Sequence, residues 1–123
     1  MSKRRSRLIN YHTVKYRTVA GFTTEIHFGK QAKHLEGARE QIVGRSPITV
    51  GIVRIQDLVA KFAGTGRWLG KNKERVDFRE IIGKYIDPQN GNAVETTWGT
   101  IHYSKTGAHV VPARRKDKDN DLS

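Results

Sequence analysis

Three side chains suited to proton transfer or hydrogen bonding, His102, Ser104 and His109, fall within one short stretch of the sequence, residues 100–112. Apolar and polar residues alternate on both sides of Thr106-Gly107, a dipeptide typical of tight turns. The stretch therefore predicts a β-hairpin that turns at this dipeptide.

The length of the turn decides which side chains share a face of the hairpin. A two-residue turn would pair Ser104 with His109 and His102 with Val111. The face expected to pack on the core then consists of Ile101, Tyr103, Ala108, Val110 and Pro112, and the opposite face of His102, Ser104, His109 and Val111. A three-residue turn would divide the histidines between the two faces, so the segregation of apolar residues favours the two-residue turn.

Two histidines on one face of a sheet suit general acid–base catalysis, because an imidazole titrates near ~6.5 and can accept or donate a proton. RNA contains its own nucleophile, the ribose 2′-OH. A base would remove the proton of this hydroxyl, an acid would protonate the leaving 5′-oxygen, and cations would stabilise the charge on phosphorus. This chemistry requires neither a metal nor a cofactor.

Zinc binding is the alternative use of these side chains. The candidate ligands are His34, His102, His109 and Asp77. No spacing typical of a zinc site occurs among them, and the chain contains no cysteine. The sequence therefore favours acid–base chemistry and predicts no metal site.

The charge of the chain predicts a polyanionic partner. Its 23 Lys and Arg residues exceed its 12 Asp and Glu residues, which gives a formal charge of +11. Nucleic acid is the favoured partner, an acidic protein is electrostatically suitable, and an anionic membrane surface is the weaker alternative. No apolar run approaches the length of a transmembrane span.

The elements expected to position these residues follow an α+β order. Apolar spacing predicts a helix over Ile55–Phe62, and residues 29–40 are expected to form a short helix or a loop. Strands are predicted at residues 23–28, 74–78, 81–86, 93–97, 100–104 and 108–113, and a loop at 68–73. The expected fold is an N-terminal helix or helices packed on one twisted antiparallel sheet of about four strands.

Several motifs along the chain resemble those of the bacterial polymorphic toxin type 50 domain. They are G-K-Q-A-K-H-L-E-G (29–37), G-R-S (44–46), L-V-A-K-F-A-G-T-G (58–66), K-E-R-V-D-F (73–78), I-G-K-Y-I-D-P (82–88), T-T (96–97) and I-H-Y-S-K-T-G-A-H-V-V-P-A-R (101–114). The resemblance implies a nuclease toxin with the fold shared by barnase, EndoU, colicin and RelE-like ribonucleases. It covers the toxin domain (26–115) and leaves a basic arm (1–25) outside, while the alternating charges at the C-terminus predict a disordered tail (116–123).

The resemblance also suggests which residues act. His34, in the first motif, is the candidate for one acid–base role, and His102 or His109 for the other, with Ser104 beside them. The candidates for phosphate binding are Lys30, Lys33, Arg75 and Thr97, and Tyr103 is a candidate for base stacking. Each has a simpler interpretation: a solvated helix face for the lysines, an ion pair for Arg75, a plain strand position for Thr97 and the core for Tyr103.

The function expected from these patterns is a metal-independent endoribonuclease toxin acting on RNA, with tRNA among the candidate substrates. The resemblance implies delivery by a secretion system or a phage, action in the cytoplasm of a target bacterium, and neutralisation by an acidic immunity protein. We expect a monomer. A basic RNA- or DNA-binding protein and a phage accessory protein are the alternatives, but clustered histidines favour an enzyme.

Overall fold

The computed structural model describes residues 16–114, so the first 15 residues of the predicted arm and the predicted tail lie outside the described residues. The helices are α1 (Phe28–Ala32) and α2 (Ile52–Phe62). The strands are β1 (Thr18–Val19), β2 (Phe22–Thr23), β3 (Arg67–Gly70), β4 (Lys73–Asp77), β5 (Gly83–Ile86), β6 (Ala93–Thr96), β7 (Trp98–His102) and β8 (His109–Pro112).

The described strands form three antiparallel sheets rather than the single sheet predicted. The largest has four strands in the order β3-β4-β7-β8, while β1 pairs with β2 and β5 pairs with β6. The α+β class is confirmed. The prediction of N-terminal helices is incomplete, because β1 and β2 precede the two described helices and α1 is only five residues long.

The core lies between α2 and the inner face of the four-stranded sheet. The helical spacing predicts an apolar face of four residues, of which α2 buries Ile55, Leu58 and Val59, while Phe62 is partly buried. The sheet contributes Ile101 and Val110, which are both fully buried. Removing an aliphatic side chain of this size from water stabilises a fold by roughly 1.5–3 kcal/mol, so this layer fixes the opposite face of the sheet toward solvent.

The end of the predicted arm packs on α2. β1 and β2 are joined by Ala20 and Gly21, both at positive φ. Just before β1, the guanidinium of Arg17 donates hydrogen bonds to the carbonyls of Ala60, at 2.7 Å, and Ala63, at 2.6 Å. These carbonyls lie at the C-terminal end of α2, where backbone oxygens lack helical partners and the helix dipole favours a cation.

The predicted loop over residues 68–73 is wrong, because its first half is strand β3. A two-residue turn, Lys71-Asn72, joins β3 to β4, and both residues have positive φ, at 54° and 61°. Hairpins with this turn are usually signalled by Asn-Gly or Asp-Gly. Lys-Asn does not provide that signal, so the sequence pattern gives no indication of the hairpin.

The predicted position of the turn between β7 and β8 is wrong by one residue. His102 pairs with His109 instead of with Val111, and the Gly107 amide donates to the Ser104 carbonyl at 3.3 Å, so the turn is centred on Lys105-Thr106 instead of Thr106-Gly107. The hairpin ends early because the flanking residues bond elsewhere: Tyr103 N donates to the β3–β4 turn, and Ala108 bonds to the segment before α1. The register differs from the predicted one by two residues, and an even shift leaves every side chain on its predicted face.

The predicted strand over residues 23–28 is wrong beyond Thr23. Ile26 makes a single bridge to Ala108, and Phe28 already begins α1. The helix starts here because the Nδ1 atom of His27 accepts a hydrogen bond from the Lys30 amide, at 3.2 Å. Among the described residues, no helix has the length and apolar character needed to cross a membrane.

Candidate active site

The buried side chain of Gln31 attaches α1 to the edge strand β8. Its amide nitrogen donates to the Val110 carbonyl at 3.0 Å, and its amide oxygen accepts from the Val110 N–H at 2.7 Å. Gln31 thus occupies the position that another strand would take at this edge. His34 follows one helical turn later, and this places it beside the outer face of the hairpin.

Three histidines form a stack at this position. The rings of His102 and His109 lie 4.7 Å apart between centroids and 14° from parallel. His34 stacks on the other side of His109, at 5.9 Å and 15°. The structure therefore brings together the three histidines that the sequence predicts for catalysis, with His109 in the middle.

Burial makes these imidazoles unusually acidic. It lowers the pKa of His102 to about 4, and the charge of Lys73 acts in the same direction. Burial also lowers the pKa of His109 to about 4. The pKa of His34 is lowered chiefly by burial, against a raising contact with the Ser46 backbone.

Two of the imidazoles also have a buried nitrogen without a partner. The Nδ1 atoms of His34 and His109 are shielded from solvent and make no hydrogen bond to any described residue. A proton at either position would lack an acceptor, which adds to the cost of the charged ring. In the free protein at neutral pH, the stack is therefore a set of neutral imidazoles.

Lys30 places an ammonium group beside the stack. Its Nζ donates to the Ser104 Oγ at 3.0 Å and to the Thr106 Oγ1 at 3.1 Å. Ser104 in turn donates to the Gly107 carbonyl at 2.8 Å and so holds the loop between β7 and β8 in place. The positive charge of Lys30 contributes to lowering the pKa of His109.

Strand β4 adds two more cations to the same face. Lys73 is the direct neighbour of His102, and Arg75 the direct neighbour of Thr100, in the β4–β7 pairing. Direct neighbours project to the same side of a sheet. The Nε of Arg75 donates to the Thr100 Oγ1 at 3.1 Å, which holds the guanidinium one position along the face from His102.

Two other predicted phosphate ligands differ in their placement. Lys33 is exposed at the end of α1, and its charge contributes to lowering the pKa of His34. Thr97 lies before the first residue of β7, whereas His102 is the last, so the two are separated by the length of that strand. The structure therefore brings Lys33 near the stack and does not bring Thr97 there.

Tyr103 belongs to the core. Only 4% of its surface is exposed, its ring stacks between Phe22 and Trp68, and its hydroxyl donates to the Glu74 Oε1 at 2.6 Å. Burial, followed by the Glu74 carboxylate, raises the pKa of this phenol. In the described structure Tyr103 therefore packs against the inner face of the sheet and is not accessible to an RNA base.

The three stacked rings do not form a metal-ligating cluster. Among residues 16–114, no group of three or more His, Cys, Asp or Glu side chains converges as metal ligands do. Asp77, the fourth candidate for zinc, pairs with Trp98 at the far end of the β4–β7 ladder from His102. Nearly parallel rings hold their in-plane nitrogen lone pairs in separate planes, so these do not converge on one point.

Comparison with protein families identifies the domain. The family model described as bacterial toxin 50 matches residues 26–112, which is more than half of the chain. The chain belongs to the bacterial toxin 50 family. No curated protein matches it. The matched region of this toxin contains the whole histidine stack, Lys30, Lys73 and Arg75.

Three residues important to the site are absent from the sequence-based candidates: Gln31, Lys73 and Glu74. Glu74 is 2% exposed, and its carboxylate accepts from the Tyr103 hydroxyl and from the amides of Gly64 and Gly66. Alternation along β4 gives a signal for it, because Glu74 shares its face with core residues of that strand. No comparable signal exists for Lys73, whose role depends on its pairing with β7.

Proposed function

We propose that this toxin is an endoribonuclease that cleaves RNA by attack of the ribose 2′-OH, with histidines as acid and base and without a metal ion. The observation that supports this most strongly is the stack of His34, His109 and His102 with Lys30 and Lys73 beside it. A partly buried cluster of neutral imidazoles among cations suits a reaction that transfers protons around a phosphate.

Binding of the substrate would change the protonation of the stack. A phosphodiester anion placed against the face would raise the pKa of the nearest imidazole, because it favours the charged ring. One histidine would then hold a proton while another stays neutral, as an acid and a base must do together. Lys30, Lys73 and Arg75 would stabilise the charge that develops on the phosphoryl oxygens.

We assign the two proton-transfer roles to the rings at the ends of the stack, His34 and His102. The attacking and leaving oxygens lie roughly in line on opposite sides of phosphorus. One ring would take the 2′-OH proton as the 2′-oxygen bonds to phosphorus. The other would protonate the 5′-oxygen as its bond to phosphorus breaks, which leaves a 2′,3′-cyclic phosphate and a 5′-hydroxyl. His109 would hold the end rings apart.

The family supports a wider setting for this activity. The toxin would act as a monomer on RNA, with tRNA among the candidates, in the cytoplasm of a target bacterium that it reaches through a secretion system or a phage. A cognate immunity protein with an acidic surface would neutralise it by covering the cationic face. A non-catalytic RNA-binding protein would need the same positive charge but not the stack.

The proposal is tested by incubating the protein with total bacterial RNA and with duplex DNA in the presence of EDTA. We expect RNA fragments ending in 2′,3′-cyclic phosphate and intact DNA. His102→Ala should lower kcat/KM by about 100-fold or more while retaining RNA binding. His27→Asn is the matched control, because it removes a histidine outside the stack while Asn can still cap α1. That control should cleave normally.

The pH dependence of kcat/KM tests the division of roles. For the wild type, kcat/KM should rise as the pH falls from neutrality. The pKa values of His34 and His102 are lowered in the free enzyme, so a decrease in pH increases the fraction of enzyme molecules in which the acid histidine is protonated. His34→Asn and His102→Asn should remove opposite limbs of the profile. Cleavage that requires an added divalent ion, or RNA that is bound but stays intact, would overturn the proposal.

A further inference from the structure

A second feature of the sheet face is a groove next to Arg75. It has a volume of about 520 Å³, within the ~300–1,000 Å³ typical of ligand sites. It is lined by three arginines, Arg67, Arg75 and Arg79, together with Asp77, Phe62 and Trp98. Three guanidinium groups around one opening make it suitable for an anionic ligand.

Among the described residues that line the groove, positive charges outnumber negative ones. Arg67 pairs with Arg75 across β3 and β4, and the nearby charge of Arg67 contributes, after burial, to lowering the pKa of Arg75. Asp77 is the one carboxylate among the described lining residues, and it lies 3.8 Å from Arg79. The Arg79 side chain remains 77% exposed, so that contact is a weak surface pair.

The groove continues the face of the histidine stack. Trp98, Thr100 and His102 alternate along β7 and so project to one side of the sheet. At ~3.4 Å per residue, the indole lies about 14 Å along the strand from His102. Arg75 lies between them, beside Thr100. A chain of nucleotides running along β7 would therefore pass from the stack over Arg75 into the groove.

We propose that this groove binds the unpaired nucleotides that flank the cleaved bond, and that the substrate is therefore single-stranded RNA at this position. Trp98 stacks on a base, and Arg67 and Arg79 bind backbone phosphates. An indole can stack only on a base whose π-face is exposed. In a duplex, the neighbouring bases cover that face, so the stacked base must be unpaired. The inference rests on the proposed function, because it takes the histidine stack as the place of cleavage.

Tryptophan fluorescence tests the groove without catalysis. In a Trp68→Phe protein, Trp98 is the remaining tryptophan. A 2′-O-methylated single-stranded oligoribonucleotide of mixed sequence, which lacks the nucleophile, should quench its emission, and the same strand annealed to its complement should not. Arg67→Gln and Arg79→Asn should each weaken binding several-fold and reduce the salt slope by about 0.7. Asn is used at position 79 because it tolerates the positive φ there.

Cleavage assays separate this inference from the proposed nuclease activity. Arg67→Gln and Arg79→Asn should raise KM for single-stranded RNA and leave the cleavage of a dinucleotide unchanged. Arg39→Gln is the control, because it removes an exposed arginine that does not line the groove. An equal effect of Arg39→Gln, or the absence of quenching, would contradict the proposed role of the groove.

The remaining outcomes separate the two proposals. If the dinucleotide is cleaved and the groove variants have no effect on single-stranded RNA, the role of the groove is refuted and the nuclease activity stands. If the oligoribonucleotide quenches Trp98 but RNA is not cleaved, the role of the groove is supported and the nuclease activity is refuted.

Discussion

The stacked imidazoles at the face of the sheet are easier to protonate in the unfolded chain than in the native protein. Burial lowers the pKa values of His102 and His109 to about 4, whereas an exposed histidine titrates near ~6.5. Between these values the unfolded chain binds more protons than the folded one. The free energy of unfolding must therefore fall as the pH decreases through this range.

This linkage gives a prediction at the residue scale. Each of the two histidines should contribute a slope of up to about 1.4 kcal/mol per pH unit, reduced where solvent screens the charge. Urea unfolding between about pH 7 and about pH 4 measures the slope. The variant His102→Asn/His109→Asn should lose much of it. An unchanged slope in this variant would show that other groups, such as His34 or the carboxylates, cause the acid sensitivity.

At the scale of elements, α1 is too short to be stable by itself, and its position depends on Gln31. Five residues cannot form a stable isolated helix in water. The Gln31 amide makes both of its hydrogen bonds to Val110, 79 residues later in the sequence. The location of His34, and with it one end of the stack, follows from this contact.

Replacing Gln31 tests this dependence. Gln31→Leu leaves the buried N–H and carbonyl of Val110 without these partners and should lower the free energy of unfolding by roughly 2–6 kcal/mol, at ~1–3 kcal/mol for each group. It should also shift the ring nitrogen resonances of His34. Gln56→Leu is the matched control, since Gln56 makes equivalent contacts to Ile26 and Thr24.

The two variants are compared by urea unfolding and by NMR of the histidine ring nitrogens. Gln56→Leu should lower stability while leaving the His34 resonances in place, because its partners lie before α1. If Gln31→Leu unfolded at the same urea concentration as the wild type, or left the His34 resonances unchanged, Gln31 would not be the residue that positions α1.

The same elements show why part of the fold could be predicted from the sequence. Alternation along residues 100–112 placed His102 and His109 on one face correctly, because a two-residue shift in register preserves the faces. The true register could not be predicted, since it depends on partners outside the hairpin. The β3–β4 hairpin gave no signal, because Lys71-Asn72 is an unusual sequence for its turn.

In the candidate site, too, some features could be predicted from the sequence and others depend on contacts between distant residues. His102 and His109 could be predicted from their type and spacing, whereas His34 became a candidate for catalysis only through its motif in the family resemblance. The stacking of His34 on His109 could not be predicted, because it requires α1 to lie against β8. Lys73 and Gln31 likewise gain their significance from neighbours that are distant in sequence.

At the scale of the whole molecule, the site gathers cations from several elements of a positively charged chain. The formal charge is +11, and the sheet face and its margins present cations around the stack and along the groove. They are Lys30, Lys33, Arg67, Lys73, Arg75 and Arg79. A single strand of RNA laid along this face would exchange its condensed counterions for these side chains.

The number of such contacts sets the expected salt dependence of RNA binding. Six contacts to a single strand, at about 0.7 each, give a slope of about −4 for log Kobs against log salt, so affinity should fall roughly 300-fold between about 50 and about 200 mM. The measurement uses the 2′-O-methylated strand, which cannot be cleaved. Lys73→Gln should make the slope shallower by about 0.7, whereas Arg39→Gln should leave it nearly unchanged. A slope near zero would mean that contacts with the bases dominate binding, and the charge of this face would then have to serve another partner, such as an acidic immunity protein.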